Sequence, residues 1–250
     1  VFDLTYDQVA IVLVAYFFAA ITKGLTGLGF STTCLPIIVF ALGLKDAFPL
    51  VIIPSITSNL IVMRQVGQFN EAVKRFWPML LATLPGLGLG LWVLTWIDGV
   101  LASAIFGGVL FLWCTFSFSK PDLRLAPRFE MMVAPISGFL TGMINGATGS
   151  QVMPVVPFMM SLKLRRDLFI QGINCSFTMS SLIIAVGFAK LGFFSLEDIL
   201  ISSFGIGLVF FGVRVGGKIR QYLSEKLFHH AILAMLTVMS VFLMFPILNG

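Results

Sequence analysis

The sequence predicts an all-α polytopic membrane protein: two inverted-topology repeats of about five hydrophobic segments each, with a broken or re-entrant helix opening each repeat. Three observations carry this prediction. Hydrophobic residues make up 58% of the 250, charged residues only 11%, and the mean hydropathy is +1.02, whereas a soluble domain is about 25% charged. Apolar stretches such as Phe76–Ile97, Val100–Phe118 and Leu227–Leu248 are long enough to cross a hydrocarbon core of ~30 Å. A glycine-bracketed motif also occurs twice, as Gly24-Leu25-Thr26-Gly27 and Gly146-Ala147-Thr148-Gly149. Each copy precedes a proline (Pro36, Pro157) and then an acidic-start segment, Asp46-Ala47-Phe48 or Asp167-Leu168-Phe169. Duplicated halves built around glycine-interrupted hydrophobic segments are a pattern of carriers whose site lies where the halves meet.

The first repeat, residues 1–118, supplies the apolar segments Ala10–Thr22, Gly27–Leu44, Ala47–Met63, Phe76–Ile97 and Val100–Phe118. Its first segment stops at Lys23-Gly24, its second opens inside the glycine motif, and its third follows Lys45-Asp46. The polar stretch 119–130 (SKPDLRLAPRFE) is the linker. The second repeat, 131–250, supplies Met131–Ile144, Val152–Leu162, Leu168–Ala189, Leu196–Val213 and Leu227–Leu248. At one constant offset Pro36/Pro157, Asp46/Asp167, Phe48/Phe169, Ile52/Ile173, Ser55/Ser176 and Thr57/Thr178 coincide; at a second, Gly86/Gly212, Gly90/Gly216, Leu101/Leu227 and Leu110/Leu236 do. The offset changes within connections, as insertions require. Val1–Gln8 carries two aspartates and no basic residue, so the apolar stretch that follows is not read as a signal peptide.

Orientation follows from the cations. Numbering the connections in order, the odd ones hold Lys23; Arg64, Lys74 and Arg75; Lys120, Arg124 and Arg128; Lys163, Arg165 and Arg166; and Arg214, Lys218, Arg220 and Lys226. The even ones hold only Lys45 and Lys190. The positive-inside rule puts the odd connections in the cytoplasm and both termini outside. Five segments per half is an odd number, so the second copy runs through the bilayer inverted. An eight-crossing arrangement would separate the Lys163–Arg166 cluster from the Lys120–Arg128 cluster, which the same rule disfavours.

Segments one, six and seven look short for full crossings; Val152–Leu162 is roughly 16 Å of helix. Hairpins of two half-helices fit both that length and the charge parity, with the glycine motif at each tip. Irregular backbone at such depth is tolerated only where it is buried or lines a cavity.

The tips therefore hold the candidate binding residues: Gly24, Thr26, Gly27, Ser31 and Thr32 in the first copy, and Asn145, Gly146, Thr148, Gly149, Ser150 and Gln151 in the second. Glycine lets the chain turn and lets a solute approach the backbone. A helix starting there presents unpaired N–H groups with the positive end of its dipole behind them. Hydroxyls add donors, and the whole favours an anion. Asn59, Asn174 and Ser176 follow in the next segments, along with Ser180 and Ser181; buried amides need partners and so face the protein interior. Packing competes as an explanation for glycine: Gly138/Gly142/Gly146, Gly86/Gly90 and Gly212/Gly216 are spaced four apart, the small-xxx-small contact pattern. Lys23 is either carried deep by its hairpin or snorkels from a helix end.

All acidic residues fall in connections or at segment ends, unlike a cation pathway or a carboxylate proton relay. His229 and His230 adjoin the last connection, and no Ser/His pair, metal cluster or acid dyad points to an enzyme. Cys34, Cys114 and Cys175 lie in apolar segments without metal or CxxC spacing and read as small hydrophobes. No cofactor is implied. The basic balance reflects topology, with the lipid bilayer as partner and not nucleic acid.

Gly24-Leu25-Thr26-Gly27-Leu28-Gly29-Phe30 with Pro36 and Leu44–Ala47, and Gly142 with Gly146–Gly149, Pro157 and Leu164–Asp167, together resemble the TauE/SafE sulfite-exporter family. The resemblance covers Ala10 to about Phe118 and Met131 to the end. It implies a transporter of sulfite or a small organosulfur anion such as a sulfonate across a prokaryotic-type plasma membrane, with a binding role for Thr26, Gly27, Thr148 and Gly149. A proton is the coupling ion expected of such carriers. Ser150-Gln151 departs from the family's glycine-rich pattern. A passive anion channel and a membrane-embedded scaffold are the alternatives.

Overall fold

The computed structural model describes residues 4–119, 122–219 and 225–248, apart from the side chains of 225–229, 231 and 246–248. Asp3, Lys120 and Arg220, and the side chains of Glu225, Lys226 and His229, thus lie outside the described residues. Ten α-helices follow one another: α1 Tyr6–Thr26, α2 Phe30–Leu42, α3 Leu44–Val66, α4 Phe69–Trp96, α5 Gly99–Ser119, α6 Glu130–Thr148, α7 Val155–Ser161, α8 Arg166–Leu191, α9 Leu196–Ile219 and α10 Glu225–Leu248. A 3-10 turn, Pro127–Phe129, precedes α6. Among the described residues, six helices (α1, α3, α4, α5, α8 and α9) are long and apolar enough to cross a membrane. The molecule is a multi-pass integral membrane protein.

Of the three segments expected to be short, only the seventh is. α1 has 21 residues, long enough to span at ~1.5 Å per residue, and α6 has 19; only α2 (13) and α7 (7) are short. The apolar pattern stops at Thr22, but helical hydrogen bonding runs on to Thr26. At the other end, Thr5 and Gln8 form a capping box that starts α1 ahead of its apolar run.

Helices from the two halves interleave. The most extensive contacts join α4 to α6 and α1 to α9, followed by α5 with α10 and α3 with α8. The first helix of each half thus packs on the fourth helix of the other. Glycine rows make the two largest seams possible: a methyl on Gly86 or Gly142 would stand 2.1 or 2.3 Å from the carbonyl oxygens of Phe139 or Thr83, and one on Gly216 would stand 2.2 Å from that of Ile21. The packing expected of the small-xxx-small rows is present in full. Contacts advance together along both partners, Tyr16 to Gly205 and Gly24 to Gly216, Met79 to Gly138 and Thr83 to Gly142, so each pair is parallel.

Proline creates one polar crosslink in the core. Pro54 inside α3 has no N–H for the carbonyl of Leu50. Tyr16 Oη of α1 donates to that oxygen at 2.6 Å and Ser202 Oγ of α9 at 3.0 Å. Tyr16→Phe is expected to cost about 1 kcal/mol, and Tyr16→Phe with Ser202→Ala more than the sum, because the carbonyl is then left unpaired. Thermal unfolding in detergent micelles reads this directly.

One end of the bundle is tied by ion pairs: Arg75 to Glu130 at 2.7 Å, Arg165 to Glu71 at 2.8 Å and Lys163 to Asp122 at 2.5 Å. The starts of α4, α6 and α8 therefore share a face with the linker. At the opposite end the N–H of Leu4 meets Glu197 at 3.3 Å. Between them, the outer surface is apolar, with Leu112, Val186, Phe204 and Phe211 exposed, as a lipid-facing belt requires.

Candidate functional site

The duplicated motif folds the same way twice. Gly27 (φ 81, ψ −2) and Gly149 (φ 76, ψ −2) end α1 and α6 in the left-handed region, which favours glycine. Their N–H groups donate to the carbonyls of Lys23 and Asn145, both at 2.7 Å. Thr26 Oγ1 donates to Thr22 O at 2.9 Å and accepts from the Leu28 N–H at 3.1 Å; Thr148 Oγ1 donates to Ile144 O at 2.7 Å and accepts from the Ser150 N–H at 3.3 Å. The chain then breaks. In the first copy it passes Gly29 (φ 86) into α2, and Phe30 brings its ring to 6.5 Å from that of Tyr16, back along α1. In the second, an irregular run reaches α7 at Val155.

Behind the first break lies a buried lysine. Lys23 is 1% exposed. Its Nζ donates to Asn59 Oδ1 of α3 at 2.6 Å and to Asn174 Oδ1 of α8 at 2.5 Å. Asn174 Nδ2 in turn donates to Ile170 O at 2.7 Å and to Gly27 O at 3.2 Å, fixing the amide against the break. Asn59 Nδ2 has no partner. Every ion pair among the described residues lies elsewhere, so a positive charge here is solvated by two amide dipoles and by no carboxylate. The interior placement of Lys23 replaces the snorkelling alternative: the residue is buried and its Nζ bonds side chains of α3 and α8.

The breaks also approach each other. Ser31 Oγ lies 2.8 Å from Ser55 Oγ, and Gln151 Nε2 donates to Ser181 Oγ at 2.9 Å. These four residues and Gly149 surround one small gap beside Phe48. A larger cavity of about 480 Å³ is lined by Thr22, Thr26, Gly29, Thr32 and Thr33 from the first break and by Val152 and Val156 from the second. It reaches Ser117 and Met160, near the ends of α5 and α7, on the ion-paired side of the bundle.

The sequence candidates thus separate by position. Gly24 and Gly146 lie inside helices, where a methyl would stand 2.2 Å from Val213 O and 2.6 Å from Leu87 O; they seat α1 on α9 and α6 on α4. Thr26 and Thr148 close the turns and Gly27 and Gly149 form them. Thr32 faces the cavity, Ser31 meets Ser55, and Ser150 and Gln151 are buried in the second break. Asn59 and Asn174 converge on Lys23. Asn145 and Ser176 are buried with side-chain atoms that have no partner. Gln171 was absent from the sequence candidates: it is fully buried, with Nε2 3.7 Å from Cys175 Sγ and Oε1 unpartnered. The available signal for Lys23 was the repeat itself, since Lys23 precedes Gly24 where the second copy has the neutral Asn145 before Gly146.

No curated protein and no solved structure matches the chain. A family does: the match to "Sulfite exporter TauE/SafE" runs over residues 12–243, from within α1 to within α10. Both breaks, Lys23 and the whole of α2 through α9 fall inside that span, and the chain belongs to the sulfite exporter TauE/SafE family.

Proposed function

We propose that the protein is a secondary transporter carrying sulfite or a small organosulfur anion across a prokaryotic-type plasma membrane by alternating access, with the proton as coupling ion. The observation that carries this reading is the buried, carboxylate-free polar cluster of Lys23, Asn59 and Asn174 against the first glycine break. Thr26, Gly27, Ser31, Thr32, Asn59, Asn145, Gly149, Ser150, Gln151, Asn174 and Ser176 line the route in this reading, while Gly24, Gly146 and Thr148 hold its shape. Neutral donors and one cation suit an oxyanion, whose oxygens accept from N–H and O–H groups without a rigid charge lattice.

The two halves, 1–118 and 131–250, are inverted copies in this reading, with the linker 119–130 cytoplasmic. The swapped parallel pairs support it: α1 and α9 start at the Leu4–Glu197 end, α4 and α6 at the ion-paired end. Rocking of one half against the other would move the cavity from the basic face to the opposite one.

Reconstituted protein should take up ³⁵S-labelled sulfite saturably and accumulate it against a gradient when a proton gradient is imposed. Gln151→Leu should lower the initial rate at least tenfold without loss of folded protein. Non-saturable flux that never exceeds equilibrium would mean a passive channel, and no flux of any small sulfur anion would end the proposal.

A further inference from the structure

We infer that Lys23 is the counter-charge of the bound solute and that its single positive charge restricts the carrier to monoanions, sulfite entering as hydrogensulfite; this rests on the anion-carrier reading above. Lys23 is the rare group that low-dielectric surroundings make expensive: an ammonium, 1% exposed, with no carboxylate among its partners. Two of its three hydrogens are used, on Asn59 Oδ1 and Asn174 Oδ1. The third has no acceptor among the described residues, and neither has the adjacent Asn59 Nδ2. Two neighbouring side chains thus hold spare donors around one positive charge, which fits a solute with two or more oxygens and one negative charge. A monoanion makes the buried assembly neutral. A dianion would leave one negative charge uncompensated at the same depth, and a neutral solute would leave the ammonium as it is.

The surroundings give the exchange a route and a consequence. Thr22 and Thr26 flank Lys23 on α1 and line the 480 Å³ cavity, while Asn174 bonds the Gly27 carbonyl in the break itself. A solute arriving by the cavity and taking the place of the two amide oxygens breaks the bonds that join Lys23 of α1 to α3 of its own half and to α8 of the other. Occupancy and these two cross-helix bonds are thereby alternatives at one nitrogen atom. Lys23 acts on specificity by valence and on motion by exchange of partners.

The test uses full-length protein in detergent, with methanesulfonate as the fixed monoanion and sulfate as the fixed dianion, at matched ionic strength. Ligand that binds the native state raises the apparent melting temperature. Methanesulfonate should raise it in a saturable way and sulfate should not. Lys23→Gln should weaken the methanesulfonate response at least tenfold. Asn59→Asp is the companion variant: it keeps the cation and supplies an internal carboxylate, so the protein should stay folded and lose the anion response by the same factor. Methanesulfonate binding as tight in both variants as in the parent would overturn the inference, as would sulfate binding that equals or exceeds methanesulfonate binding. In either case labelled sulfite flux by the parent would still stand for the transporter. Loss of flux in the parent itself would instead remove the reading beneath it.

Discussion

Asn174→Leu should destabilise the protein by about 3–5 kcal/mol, far beyond the ordinary cost of a surface amide, because it strands a buried cation. Three hydrogen bonds go at once: the one accepted from Lys23 and the two donated to Ile170 O and Gly27 O. The ammonium keeps only Asn59 Oδ1. The diagnostic is the double variant. Lys23→Met removes the charge, and Lys23→Met with Asn174→Leu should recover most of the loss, since replacing both members of a buried polar pair by apolar groups of similar volume is often nearly neutral. Thermal unfolding of the parent, both single variants and the double in one detergent gives the coupling term. Strictly additive losses would mean that Lys23 and Asn174 do not share an energetic interaction.

The second large effect concerns the seams. Gly138→Ala puts a methyl 2.0 Å from Met79 O, and Gly142→Ala one 2.3 Å from Thr83 O. Both obstacles are backbone of α4, so relief requires the helices to part along their closest line. Each substitution should cost about 3 kcal/mol, read as a fall in melting temperature and a loss of monodisperse protein on size exclusion. Gly88→Ala and Gly207→Ala, where a methyl meets nothing within 4 Å, are the controls; they should gain a few tenths of a kcal/mol from helix propensity. A similar response at all four positions would show that helix propensity, and not close approach, governs these glycines.

What the sequence revealed depended on whether the controlling interaction was local. The crossings α3, α4, α5, α8 and α9 were legible because bilayer thickness imposes a run length on the apolar pattern, and the break positions were legible because only glycine readily supports the positive φ at 27 and 149. The lengths of α1 and α6 were not, since hydropathy ends at Thr22 and Ile144 while backbone hydrogen bonds run on to Thr26 and Thr148. The employment of the two threonine hydroxyls was also hidden: a hydroxyl turned back on the carbonyl four residues earlier has the same sequence signature as one turned to a solute. Lys23 was ambiguous because its partners, Asn59 and Asn174, belong to helices distant in the chain, and because a lysine beside a glycine suits a membrane edge as well as a core.

The swapped seams have a consequence for biogenesis. A nascent chain that has just finished α5 carries α1 and α4 in the membrane while their glycine-notched flanks lack α9 and α6. Those notches would meet acyl chains, which fill them poorly. Assembly of the first half is therefore completed only after translation has passed residue 219, and a ribosome-released fragment ending near Ser119 would present two unmatched grooves to the quality-control proteases of the membrane.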